Sequence, residues 1–296
     1  MYKLIKGKDI PTKDAAAFIA KWNKNRKHHI GFCGTEADEI IETIDEEMTD
    51  VTFGNCFAAA IQDGQLVGLI GLDIDLEDKS AEVWGPFVDP AFDVDMAIEI
   101  WGLLNEQTQS LETISLFFNK ENNLVKKFAD KLEFKQKTDQ IILTYSEDQL
   151  ENQLIKKKEE LASNDNDAFA VLHDNAFPGT YYSGKEIMER INDTQKVFVL
   201  KDKGHLAGYV YVEADPDFAD GSIEFIAVDQ AFRGKGYGKK LLLTAVSWLF
   251  TFESIKEITL CVSADNKGAI GLYQSAGFHL MHELYYFSKN SVAIGS

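Results

Sequence analysis

Apolar residues along this chain follow two rhythms, one of period 3.6 and one of period 2, and they alternate in a fixed order that occurs twice. Helical spacing marks Lys13 to Asn25 and Ala37 to Met48 in the first half, and Asp167 to Phe177 and Lys185 to Ile191 in the second. A hairpin follows each pair. Phe57 to Ile61 turns through Asp63-Gly64 into Leu66 to Leu72, and Val197 to Leu200 turns through Lys203-Gly204 into Leu206 to Val212. A further strand (Ala81 to Val88; Ser222 to Val228) precedes a longer helix (Met96 to Leu104; Lys239 to Phe250). Next come β-branched and aromatic runs, Thr113 to Phe118 and Glu257 to Val262, then a short helix and a terminal strand that is expected to close each unit. Strand, helix, strand in this order asks for a parallel crossover within a mixed sheet flanked by helices, an α/β fold.

The two halves also match residue by residue at an offset of about 140. Asp63 to Gly68 aligns with Lys203 to Gly208, and Val88-Asp89-Pro90-Ala91-Phe92 with Val228-Asp229-Gln230-Ala231-Phe232. After a four-residue insertion, Asn122 through Phe134 aligns with Asn266 through Phe278. Two copies of one fold are implied. The pattern restarts near Tyr145 to Asn152, where Ser146-Glu147-Asp148-Gln149 reads as a short linker, so the domains are expected at 1–148 and 149–296.

Composition narrows the function. The 296 residues carry 30 Lys+Arg against 48 Asp+Glu, a net charge of −18, which disfavours nucleic acid and anionic membranes and suits small cationic partners. Three cysteines without a CxxC pair suggest neither a disulfide framework nor a zinc ribbon, and Cys261 within a strand reads as a small core residue. No continuous apolar stretch suits a signal or membrane span, so a cytoplasmic protein is expected. His173, His205, His279 and His282 lack ligand spacing, and His28-His29 with Cys33 is too slight a pattern for a metal, so none is expected.

Against this acidic background, Arg233-Gly234-Lys235-Gly236-Tyr237-Gly238-Lys239-Lys240 stands between a strand and a long amphipathic helix. Alternate glycines let backbone amides face one anion, and the helix N-terminus adds partial positive charge, so the segment reads as a pyrophosphate cradle. It is neither a dinucleotide fingerprint, since residue 239 is Lys, nor a Walker A loop, which needs GK followed by Ser or Thr. A plain Gly-rich turn is the alternative.

Arg233-x-x-Gly236-x-Gly238, followed by Asn266-x-x-Ala269-x-x-Leu272-Tyr273-x-x-x-Gly277-Phe278, resembles the two motifs of the GCN5-related N-acetyltransferase (GNAT) family, in order and spacing. The resemblance covers about Val197 to Phe287 directly and the first half through the repeat, which implies two tandem GNAT-like domains, each with a splayed mixed sheet. It further implies acetyl-CoA as co-substrate, lying where the strand ending at Val228 parts from the strand ending at Val262. Backbone groups of Phe225, Ile226, Ala227 and Val228 freed by that splay need partners, which an amide-bearing pantetheine arm can supply as a short added strand. Residues 233 to 238 and Lys239 then meet the diphosphate, and Asn266 the cofactor arm, with a helix N-cap as its other role.

By the same resemblance Tyr273 supplies the proton to the departing thiolate, a task suited to a phenol that is protonated at neutral pH. A core Tyr is the alternative. The Val228 amide is the expected oxyanion donor. Glu224, in an otherwise apolar strand, is the candidate base and by period two shares a face with Ile226 and Val228; a solvated sheet-face carboxylate is the alternative. The family's histone acetyltransferases carry their Glu two residues earlier, at the position of Ser222. Tyr181 and Tyr182, in the loop between the first two helices, are expected to wall an amine pocket, or else only to pack the loop.

The reading is therefore an N-acetyltransferase acting by direct transfer in the C-terminal domain on a small-molecule or peptide amine, with a non-catalytic acyl-CoA sensor as the other possibility. In the first half Asp93 to Ile98 replaces the cradle, Ala129 replaces Tyr273, and only Asn122 remains. Residues 1–148 hold 15 basic and 28 acidic side chains (net −13), and 149–296 hold 15 and 20 (net −5). The first half is expected to have lost cofactor binding.

Overall fold

The computed structural model describes residues 1–48, 50–150 and 158–290. In chain order the elements are β1 (Lys3–Lys6), α1 (Thr12–Asn23), α2 (Ala37–Glu42, continued by a π turn over Thr43–Glu47), α3 (Phe53–Cys56), β2 (Phe57–Gln62), β3 (Gln65–Asp75), β4 (Ser80–Val88), α4 (Val94–Gly102), α5 (Asn105–Thr108), β5 (Thr113–Asn119), α6 (Asn123–Lys131), β6 (Lys135–Gln136) and β7 (Gln140–Ser146). The second half continues with α7 (Asn166–Ala176), α8 (Gly184–Arg190), β8 (Gln195–Asp202), β9 (His205–Asp215), β10 (Asp220–Val228), α9 (Tyr237–Leu249), β11 (Glu257–Ser263), α10 (Lys267–Ala276) and β12 (His279–Asn290).

Local chemistry accounts for the boundaries. Asp93 caps α4, Asn122 caps α6 and Asn266 caps α10, each side chain accepting an amide hydrogen of the first turn. Ser183 and Glu186 form a reciprocal capping box on α8. Both hairpins turn through two residues of positive φ, Asp63-Gly64 and Lys203-Gly204, as a tight type I′ connection requires.

The chain forms two compact units, one of residues 1–140 with 282–296 and one of residues 141–281. Unit 1 orders its strands β1-β2-β3-β4-β5-β12, all antiparallel except β4 and β5, which run parallel. That parallel pairing spans only Ser80–Glu82 with Thr113–Ser115, so the two strands part toward their C-terminal ends. Unit 2 holds the antiparallel sheet β10-β9-β8, while β7 and β11 pair in a separate sheet. Alternate residues of β9 serve two cores: Val210 and Val212 pack with α9 residues Leu242 and Val246, whereas Tyr209 and Tyr211 pack with Phe169 of α7 and Ile187 of α8.

The terminal strands form as the periodicity predicts but do not close the units expected of them. β7, at the end of the first repeat, pairs with β11 in unit 2, and β12, at the end of the second, pairs with β5 over Leu284–Asn290 in unit 1. The compact units therefore differ from the repeat boundary at 148/149 by one exchanged strand each. Ser146 ends β7, and Glu147–Leu150 is a 3₁₀ turn with Leu150 buried. Residues 151 and 152 of the expected restart lie outside the described residues.

Candidate active site

β10 is an edge strand of its sheet, because β11 belongs to another. The open edge exposes definite groups. Asp229 N donates to Ala207 O at 3.0 Å and Ala227 faces Tyr209, so by antiparallel alternation Val228, opposite Gly208, turns its own N–H and C=O away from β9. The Val228 carbonyl accepts from Arg233 Nε at 3.1 Å, leaving its N–H free on the same edge.

After β10 the chain passes a short 3₁₀ turn and reaches Gly234 and Gly236, both at φ +78°, the left-handed region that a side chain resists. Gly236 is the N-cap of α9, so the first-turn amides of Tyr237, Gly238 and Lys239 have no helical acceptor. A Cβ on Gly238 would stand 3.0 Å from Leu272, so the missing side chain lets α9 approach α10 closely. Together these elements border a cleft of ≈ 820 Å³ lined by Ile226, Ala227, Val228, Arg233, Gly234, Gly236, Tyr237, Gly238, Lys239 and Asn266 among the sequence-predicted residues. Ala269 and Leu272 of the Asn266 motif also line it, as does Phe177, together with Asn175 and Ser275, which carried no sequence signal of cofactor contact. The donor set suits a diphosphate at the glycine turn and an amide chain along β10.

Several expected residues lie elsewhere. Lys235 turns from the cleft to Asp202, 2.8 Å away, over the Phe232 ring at 5.0 Å; this pairing raises the Lys235 pKa and lowers that of Asp202. Tyr273 is half-buried beside Phe278 (ring centroids 5.6 Å) and is not among the residues lining the cleft, although Ala269, one turn before it, is. Burial pushes the Tyr273 phenol above its ordinary range, which keeps it protonated at neutral pH.

Glu224 occupies a β-bulge, since the β10–β9 register shifts between Ile223 and Phe225. The period-two expectation fails there. Ile223, Ile226 and Val228 pack on the α9 side and Phe225 and Ala227 on the α7 side, while Glu224 accepts a 2.5 Å hydrogen bond from the Tyr181 hydroxyl. The Tyr181 ring lies 5.0 Å from Phe225, and Phe225 lies 5.1 Å from Phe177 on the cleft wall. Burial, then the bond to Glu224, raises the Tyr181 pKa. Tyr182 supports Tyr181 from behind (4.8 Å) and carries the Arg190 guanidinium over its ring at 4.3 Å; Arg190 in turn pairs with Glu213 at 3.2 Å. Arg190 and Glu213 gave no sequence signal, because they meet only through the pairing of α8 with β9.

Cys33 and Cys56 are buried and Cys261 is exposed on β11, against the core placement expected for it. Strand alternation puts residue 261 on the outward side between half-buried neighbours. Burial moves the Cys56 thiol up to about 12, away from thiolate chemistry. Among the described residues no cluster of three or more His, Cys, Asp or Glu is placed to hold a metal ion, and no helix is long and apolar enough to cross a membrane.

With the open slot beside β10 and the glycine turn at the start of α9 in place, residues 162–278 match the profile of the Acetyltransferase (GNAT) family. The matched segment lies within the second half of the chain. The chain is 33% identical over 88 residues to the spermine/spermidine N(1)-acetyltransferase of Bacillus subtilis (strain 168), covering 28% of this chain and 58% of that one. It is 30% identical over 86 residues to the mycothiol acetyltransferase of Kocuria rhizophila, covering 28% of each. The chain thus spans under two thirds of the length of these relatives. The fold is shared over nearly the whole chain with a GCN5-related N-acetyltransferase from Sphaerobacter thermophilus (TM-score 0.66, 16% identity, 98% and 96% covered). It is likewise shared with a tandem GNAT protein from the clavulanic acid biosynthesis pathway (TM-score 0.59, 13% identity, 98% of both chains covered).

Proposed function

We propose that the second half of the chain is an N-acetyltransferase that moves an acetyl group from acetyl-CoA directly to a primary amine of a small, cationic acceptor. The observation that carries this is the edge of β10, where a free Val228 amide and the Gly234–Gly238 turn border one cleft. Acetyl-CoA, when bound, supplies an acyl carbon activated as a thioester. The amides of residues 237 to 239 and the side chains of Arg233 and Lys239 hold the diphosphate, and Asn266 and the β10 edge hold the amide arm. The Val228 N–H stabilises negative charge that develops on the acyl oxygen.

An amine arrives as ammonium and must lose a proton before it attacks. Glu224 takes that proton through water, held in place by the Tyr181 hydroxyl, and Tyr181, Tyr182 and Phe225 wall the acceptor side. Tyr273 lies outside the cleft wall but follows Leu272 on it, and on this reading its protonated phenol turns in to donate to the departing thiolate. The net charge of −18 favours a cationic acceptor, and the spermine/spermidine relative acts on amines of that kind by its name.

Unit 1 has no part in cofactor binding on this reading. Its α6 packs on β4, with Val125, Phe128 and Ala129 fully buried, and Asn122 is 1% exposed where Asn266 is exposed. Asp95 at its helix start pairs with Lys131 at 2.5 Å, and no residue from 86 to 132 has positive φ. The test is an acetyl-CoA-dependent thiol-release assay over a panel of amines with wild type and Tyr273→Phe. Turnover of a di- or polyamine that the variant largely loses supports the proposal, whereas equal turnover by the variant removes the acid role, and no turnover of any amine by wild type leaves a binding module.

A further inference from the structure

His173 is a fully buried imidazole in α7 that the chemistry above does not use. Both ring nitrogens are engaged: Nε2 lies 2.8 Å from the Tyr182 carbonyl and Nδ1 lies 2.5 Å from the Tyr209 hydroxyl. A carbonyl only accepts, so Nε2 carries a hydrogen, and Nδ1 pairs with the Tyr209 hydroxyl. Tyr209 is itself fully buried in β9. The ring is wedged edge-on against Phe225 at 4.8 Å and beside Phe177 at 5.5 Å. A leucine would fill such a space at less desolvation cost, so the polar group is needed for something other than packing.

What it fixes is the backbone at Tyr182. The adjacent Tyr181 is the residue whose hydroxyl meets Glu224, and the residue is 62% exposed, so its ring contacts with Phe225 and Tyr182 leave it open to solvent. The neighbouring Asp174 accepts from Gly184 N at 2.8 Å and anchors the other end of the same loop to α7. Unit 1 builds the same device from a different side chain. Asn23, at the end of α1 and 1% exposed, bonds Ile30 N at 2.6 Å, Cys33 O at 2.8 Å and Gly34 O at 2.9 Å, pinning the equivalent loop. Two unrelated residues doing one job argue that the job is loop position.

We infer that His173 is a positioning residue: its bridge from Tyr209 to the Tyr182 carbonyl sets the acceptor loop so that Tyr181 meets Glu224. This deepens the transferase reading and rests on it for its kinetic arm only. The experiment compares full-length wild type, His173→Phe, His173→Gln and Tyr209→Phe by amide hydrogen exchange and by steady-state kinetics. In His173→Phe, exchange over residues 179–183 rises about tenfold while α7 and β9 stay protected, and the KM for the amine rises about tenfold with that for acetyl-CoA within about twofold. His173→Gln, which restores a donor to the carbonyl, recovers both readouts, and Tyr209→Phe moves them about threefold in the same direction.

Unchanged loop exchange, faster exchange spread through α7 and β9, or both KM values rising together each overturns the inference. Should His173→Phe fail to fold, Tyr209→Phe decides by the same criteria. Should wild type turn over no amine, the transferase reading fails by itself and the exchange measurements still decide the role of His173.

Discussion

The Tyr181 hydroxyl sits 2.5 Å from Glu224 Oε2, bringing together a loop residue and a bulged strand residue 43 positions apart. Because a phenol held above its ordinary pKa donates, the carboxylate keeps its remaining lone pairs for a water or an ammonium. Glu224→Gln is expected to lower kcat/KM for the amine about 100-fold, and Tyr181→Phe about tenfold, as steady-state rates will check. Equal rates in Glu224→Gln and wild type would return Glu224 to an ordinary surface carboxylate.

Tyr273 offers a cleaner kinetic signature. Removing its hydroxyl leaves the ring against Phe278, so Tyr273→Phe should fold as wild type while kcat falls about 100-fold. The KM for acetyl-CoA should stay within about twofold, since the lost hydroxyl is needed for proton transfer and the ring keeps its packing on Phe278.

One acetyl-CoA per chain is the expected calorimetric stoichiometry, and Gly236→Val should abolish it. A β-branched residue at φ +78° costs roughly 1–2 kcal/mol and blocks the approach of phosphate to the helix start. Binding of two molecules, or tight binding by the variant, would contradict the division of roles between the units.

Two groups in unit 1 give opposite pH dependences. Burial and the facing Asp73 raise the Glu82 carboxyl to about 7, so the folded state holds a proton that the unfolded chain releases near 4.5. Stability therefore declines as pH rises from about 4.5 to 7. Solvent exposure of Glu82 screens the effect to about 1 kcal/mol, and Glu82→Gln should remove it in urea melts at pH 5 and 8.

His282 behaves the other way. It stacks on His29 at 3.9 Å and accepts from Asn119 Nδ2 at 3.0 Å; burial, His29 and Arg26 lower it to about 4. The folded state thus resists a proton that the unfolded chain binds near 6.5, and stability falls as pH drops from about 6.5 toward 4. His282→Gln should flatten this acid limb in the same melts.

The glycine turn and the Asn266 cap were legible because each is a local device whose residues are contiguous or one helical turn apart. Glu224 was legible as a residue but not in its direction. A bulge inserts one position into the strand, and period two then assigns the wrong side. His173 hid for the opposite reason: its two partners, Tyr209 and the Tyr182 carbonyl, come from separate elements, and no spacing announces them. The expectation that the first copy does not bind the cofactor rests on Asp93 and Asp95 in the sequence; the buried Val125 and Phe128 of α6 favour the same proposal, but their apolar character looks like any helix face.

The traded strands bear on why both copies stay in one chain. Splitting the chain between Leu150 and Lys158 would strand β12 with the fragment that does not use it and β7 with the other, so neither product would hold a complete sheet. Deletion of either copy would thus leave the other short of a strand. Heredity can rewrite the chemistry of either copy, residue by residue, but cannot discard its scaffold.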